Sequence, residues 1–430
     1  MTLYRAKLET GNWFLVGNPM QLSSMDDNDR LTSLAVVLPL AVVGFVISAG
    51  CWTIFAVAGA HLRNALALGS LEFGLLLAMP MAAGALLAVP AGIAAQKSGA
   101  RRIMIACLFG LAVCMALLLV VETLTGYLLV AAGLGLAGGF YSAGLQFVTC
   151  HASARHMGLV LGIFGAGVTG AGLNYYLVPL IMQAFSWEGV PLAYLIVLLL
   201  VASLLLLLTE DSDARGDPDV ETSARALLRR LDSPRVWRQY LYFGVVAGSF
   251  FSLALWLPDF MSSRFLLTME TGARLALWFV IPGALAQIAG GGLSDRYGAG
   301  PVVVRSLGGS LVALFVLSYP PMTLFVQGIE SVIAVEVALP LFLEAFFIVL
   351  LGIALGSAMG GLQRLVIGEN REAAAFAAGL LLFTACLVAF LLPVLFGAVI
   401  HWVGVGTAMF MILFLLLAAS LLYFAHDNRR

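Results

Sequence analysis

Twelve long apolar runs, nearly free of charge, dominate this chain and leave it one physical environment. Leu34–Ala60, Tyr127–Val148 and Pro191–Leu208 are typical, and each can cross a bilayer as a helix of roughly 20 residues. Over 430 residues the chain is 62% hydrophobic and 10% charged, with a mean hydropathy of +1.03. A soluble domain has roughly 45–50% apolar and about 25% charged residues. Lipid supplies no hydrogen bonds, so the spans are helices or a closed barrel. The runs are continuously apolar rather than alternating with period two, which selects helices.

The spans fall near 34–59, 73–95, 102–121, 127–148, 158–182, 190–209, 240–262, 275–293, 301–319, 337–361, 374–397 and 404–425. Most connections are short, so consecutive helices are antiparallel neighbours. With the N-terminus cytoplasmic, the inward segments hold 19 of the 22 Lys and Arg residues, leaving Arg63, Arg264 and Arg274 outside. The positive-inside rule therefore predicts both termini in the cytoplasm. Residues 1–33 read as a disordered cytoplasmic leader, within which Met25 is a second candidate start. The charged stretch Glu210–Arg238 divides the spans six and six and reads as a solvated linker, so the bundles are assigned to 34–209 and 239–430.

An internal repeat sharpens this architecture. GALLAVPAGIAAQKSG (84–99) and GALAQIAGGGLSDRYG (283–298) align without a gap at an offset of 199 residues. Gly84, Ala85, Leu86, Gly92 and Gly99 recur as Gly283, Ala284, Leu285, Gly291 and Gly298. Each element ends the second helix of its half. Two six-helix halves related by an axis along the membrane normal describe the major facilitator fold, an all-α membrane protein of twelve helices.

The turns GIAAQKSGARR (92–102) and GGLSDRYG (291–298) resemble that family's loop between helices 2 and 3 and its repeat between helices 8 and 9. The resemblance implies that Asp295 and Arg296 help latch the cytoplasmic ends of the halves together. In the first half Gln96 replaces the acid, while Lys97, Arg101 and Arg102 remain, so the expected latch is asymmetric. FGLLLAMPMAAGALLAVPAG (73–92), GLVLGIFGAGVTGAG (158–172) and YFGVVAGSFFSLALWLP (242–258) resemble the nitrate/nitrite porter branch. Gly158, Gly162, Ala166 and Gly170, spaced every four residues with Gly165 beside them, predict close helix packing. A glycine lining for a small anion is the alternative.

Departures from the branch bear on the substrate. The porters hold their anion between two arginines, where this chain has Ala88 and Gln287. Val168 replaces the signature asparagine of helix 5. GLLLFTACLVAFLLP (379–393) keeps little of the second signature. An unpaired anion at bilayer depth is costly, so nitrate and nitrite are not the expected substrates. Polar and aromatic residues in the cavity-lining helices are the candidates for the cargo: Gln287, Glu344, Tyr141, Gln146, Tyr242 and Trp52, with Trp256 beside them. An acid within a span costs at least roughly 2.5 kcal/mol unless it faces a cavity or partner. Glu344 thus reads as a proton-coupling carboxylate or cation ligand, or else as a residue at the outer headgroups.

The five cysteines form no C-x-x-C pair and read as small packing residues. No span carries a metal cage and no glycine loop cradles phosphate. The net charge of −1 points to no nucleic acid. The expectation is a cofactor-free, monomeric secondary transporter of a small solute, coupled to protons or another gradient. Its membrane would be a bacterial inner membrane or an internal one derived from it. Two alternatives stand beside it: an iron carrier resembling the porter-like facilitators of magnetosome membranes, and a non-transporting sensor or scaffold. An enzyme is not expected, because no nucleophile–base pair lies at membrane depth.

Overall fold

The computed structural model describes residues 5–7, 13–15, 27–65, 67–68, 70–209, 234–327 and 332–428. Among them are 12 helices long and apolar enough to cross a membrane. The first six are α1 (Asp27–Ala65), α2 (Ser70–Ser98), α3 (Ala100–Leu118), α4 (Leu124–His151), α5 (Ala154–Phe185) and α6 (Gly189–Leu208). The second six are α7 (Pro234–Phe265), α8 (Met269–Tyr297), α9 (Ala299–Leu317), α10 (Leu341–Glu369), α11 (Ala374–Val403) and α12 (Ala408–Asp427). Their outer faces carry large exposed apolar side chains such as Leu86, Phe315, Phe342 and Trp402, as lipid-facing helices require.

Several boundaries differ from the expected ones for local reasons. Helix α8 starts six residues before the expected 275, because the Thr268 hydroxyl accepts the Thr271 N–H at 3.3 Å and caps it. Helix α10 starts after 337, because Val332–Val337 pairs as a strand with Met322–Gln327, in register from Met322↔Val337 to Gln327↔Val332. Val332, Ile333, Val335 and Val337 are β-branched, which suits a strand. Pro340 then keeps its predecessor extended and marks the helix entry. Within the leader, Arg5–Lys7 and Trp13–Leu15 pair antiparallel, a local order that the disordered reading did not include. The rest of residues 1–26 and linker residues 210–233 lie outside the described residues, and α7 begins inside the expected linker, at Pro234.

The repeat is visible in the backbone. Gly99 (φ 97°, ψ 137°) and Gly298 (φ 84°, ψ 149°), 199 residues apart, break α2 from α3 and α8 from α9 in nearly the same conformation. Positive φ is open to glycine without steric cost. The two turns can therefore be equally abrupt. The two halves meet along two seams, α2 and α4 against α11, and α5 against α8 and α10.

Candidate substrate site and interhalf clasp

A small cavity lies between the halves, lined by Phe45 of α1, Tyr141 of α4, Gly165 and Val168 of α5, Gln287 of α8 and Gln363 of α10, among others. Its volume is ≈ 10 Å³, about what one water occupies. Helix α5 is locally rewound here. Its α-helical stretch Met157–Gly165 passes through a 3-10 turn, Ala166–Val168, before α-helix resumes at Thr169. Such a turn inside a helix often marks a functional hinge.

Gln287 and Gln363 converge on this point. A Cβ added to Gly165 would collide with the Gln287 Oε1 and lie 2.9 Å from the Gln363 Oε1, so only glycine leaves both carboxamides in place. Gln363 donates to the Tyr141 hydroxyl at 2.7 Å across the halves. Both polar atoms of Gln287 and the Gln363 Oε1 are buried without a hydrogen-bond partner. A buried polar atom left unpaired costs roughly 1–3 kcal/mol. A water, which the cavity just accommodates, or a polar group of a ligand would pair them. Phe45 closes one side, its ring 5.2 Å from Tyr141 and 5.1 Å from Phe164.

The remaining candidates divide. Trp52 is buried near this cluster, 6.4 Å from Phe45 and 6.2 Å from Phe251 of the other half. Gln146 is buried five residues beyond Tyr141 on α4. Tyr242 points elsewhere: its hydroxyl donates to Asp427 at 2.8 Å, beside the 3.1 Å Arg238–Asp427 ion pair. It ties α7 to the end of α12, while its neighbour Phe243 lines the cavity. Glu344 is in the first turn of α10, at the end of the span, because that helix begins at Leu341. It is buried with Arg264 of α7 3.9 Å away, apart from the two glutamines. Among the described residues no group of three or more His, Cys, Asp or Glu is arranged to hold a metal. All five cysteines are free, and four of them are buried.

The halves are clasped where the α2–α3 and α8–α9 turns lie. Asp295 accepts the N–H groups of Gly158 and Leu159, each at 2.9 Å, and pairs with Arg364 at 2.7 Å. An acid from α8 thereby caps the start of α5, where the helix dipole favours negative charge. At the repeat position Gln96 does the converse and donates to the Glu372 carbonyl, just before α11. Arg371 reaches back to the Ala152 carbonyl. Close backbone approach supports the clasp: a Cβ on Gly158 would strike the Gly291 carbonyl oxygen, one on Gly162 that of Gln287, and one on Gly92 that of Ala375. Gly170 instead packs against Val46 of its own half. The expected glycine stripe thus serves two partners, because the 3-10 turn rotates the face. Arg101 binds within its half, to Thr209 at 3.0 Å, while Lys97, Arg102 and Arg296 are exposed. On the opposite side Tyr175 donates to the Ala254 carbonyl at 2.8 Å.

Sequence reasoning missed Gln363 and Arg364 because it ended the tenth span at residue 361. The helix runs to Glu369. A glutamine in an otherwise apolar helix was the available signal.

Twelve spans, a polar point buried between two six-helix halves and a clasp across one end define a multi-pass membrane carrier. Residues 40–393 match the Major Facilitator Superfamily, and the chain belongs to that family of secondary transporters. It is 29% identical to the probable nitrate/nitrite antiporter NarK1 of Thermus thermophilus, over 95% of this chain and 94% of that one. A nitrite extrusion protein of Bacillus subtilis is 26% identical, over 58% of this chain and 62% of its own. Among solved structures, the transporter FucP in its outward conformation superposes with a TM-score of 0.72 at 15% identity, covering 92% of this chain and 99% of that one. The human organic anion transporter MFSD10 gives 0.67 at 16%, covering 91% and 99%.

Proposed function

We propose that this transporter carries a small, uncharged solute bearing both hydrogen-bond donors and acceptors, by alternating access around Gln287, Gln363 and Tyr141. The buried and unpaired carboxamide of Gln287 carries the reading. The two open carbonyl oxygens call for donors on the solute, and the Gln287 amide calls for an acceptor. No lysine or arginine lines the cavity among the described residues, so an oxyanion would lose its water without a cationic partner. That argument sets nitrate and nitrite aside, although the named relatives support an anion. In the proposed cycle the halves rock about the α2–α11 and α5–α8 seams, with the termini and the Asp295 clasp in the cytoplasm. The driving gradient is the proton's. Glu344 is the coupling carboxylate, and its protonation would loosen Arg264 and with it the α7–α10 contact.

Proteoliposome counterflow tests the substrate class. Amide- and polyol-like solutes should exchange, and Gln287→Leu should abolish the exchange. Nitrate exchange by the wild type would overturn the proposal, as would exchange of the polar solutes that survives Gln287→Leu.

A further inference from the structure

A second groove lies outside the transport path, on the seam where α5 meets α8. It encloses ≈ 520 Å³, with Leu159, Ile288 and Leu293 along its apolar wall and Arg155, His156 and Arg296 at its mouth. Leu159 and Leu293 are exposed, as are all three basic residues. Asp295 is the acid at this groove, and its charge is already taken up by Arg364 and two α5 amides. Neither Arg155 nor Arg296 has a carboxylate partner among the described residues. The mouth therefore presents two uncompensated guanidinium groups at the ends of two spans, where the headgroup layer lies. The wall below them is fit for an acyl chain.

We propose that this groove binds an anionic phospholipid, its phosphate held between Arg155 and Arg296. Basic pockets between membrane helices at the cytoplasmic surface are suited to such headgroups. Arginine matches phosphate oxygens with a planar fork of donors. Arg155 belongs to the first half and Arg296 to the second. A lipid bound to both joins the halves beside the Gly158–Gly291 contact and favours the clasped state.

The full-length protein can be tested in nanodiscs of phosphatidylcholine with and without phosphatidylglycerol, with retained lipid counted by native mass spectrometry. Wild type should retain phosphatidylglycerol over phosphatidylcholine. Arg155→Gln should weaken that preference about fivefold, the effect of one arginine near an anionic surface. Arg305→Gln removes an exposed arginine on α9 and should leave the preference intact. Equal retention of the two lipids by wild type would overturn the proposal, as would an equal loss in both variants. Spin labels across the α5–α8 seam should report a larger clasped population when phosphatidylglycerol is present, and no change would remove the conformational role.

Discussion

The Asp295 carboxylate accepts the Gly158 N–H at 2.9 Å, so a side chain from one half caps a helix of the other. In the proposed cycle this contact would be lost as the halves part on that side. Its capping energy would then bias the equilibrium toward the closed state.

Replacing Asp295 with asparagine keeps the shape and removes the charge. A hydrogen bond to a charged group contributes about 1.5–3 kcal/mol, so the closed population should fall by roughly 10- to 100-fold relative to the open one. Distances between spin labels on the α4–α5 and α8–α9 turns would report this. A distance distribution unchanged by the substitution would exclude the capping role.

Gly158→Ala acts on the same state through sterics. Its methyl group would enter the Gly291 carbonyl, and overpacking of this kind costs about 1–3 kcal/mol. Turnover should drop while solute affinity, measured by binding to purified protein, stays within about twofold, because Gly158 is remote from the glutamines. A selective loss of affinity would contradict that separation.

Gln287→Leu separates a ligand role from a structural one. Removing unpaired buried polar atoms should leave the melting temperature in detergent unchanged or higher. Transport should fall at least about tenfold, as expected when a site's hydrogen bonds to its substrate are lost. Destabilisation together with normal flux would mean that Gln287 serves the fold.

Glu344→Gln leaves the largely buried Arg264 without its partner. The two groups lie 3.9 Å apart without a hydrogen bond, and the Arg264 side chain is 19% exposed. The loss should therefore be only about 1 kcal/mol, seen as a small fall in melting temperature that Glu344→Gln combined with Arg264→Leu should restore. Proton-driven accumulation should be absent in both variants while counterflow persists. Accumulation at the wild-type level would remove Glu344 from coupling.

Gly165→Ala should fill the space that the two carboxamides share. Counterflow should fall, with a normal melting temperature if Gln287 can rotate away. An enlarged substrate range would instead show that the glutamines do not define the site.

The sequence by itself determined the class of structure. Apolar runs without charge must become helices in lipid, and the repeat at an offset of 199 implied two related halves before any contact was known. It also singled out Gln287 and Asp295, because both stand in the aligned element. Tertiary structure alone decided what these residues touch. Gln363 joined Gln287 only because α10 runs past residue 361 and α5 rewinds at Ala166–Val168. Tyr242 was turned toward Asp427 by the packing of α12, and Glu344 was moved to a helix end by the strand preceding α10. A continuous apolar run records which segments leave water for lipid, and it is set by neighbours in sequence. A polar contact across 137 residues, such as that of Asp295 with Gly158, depends on how two helix surfaces from different halves interlock.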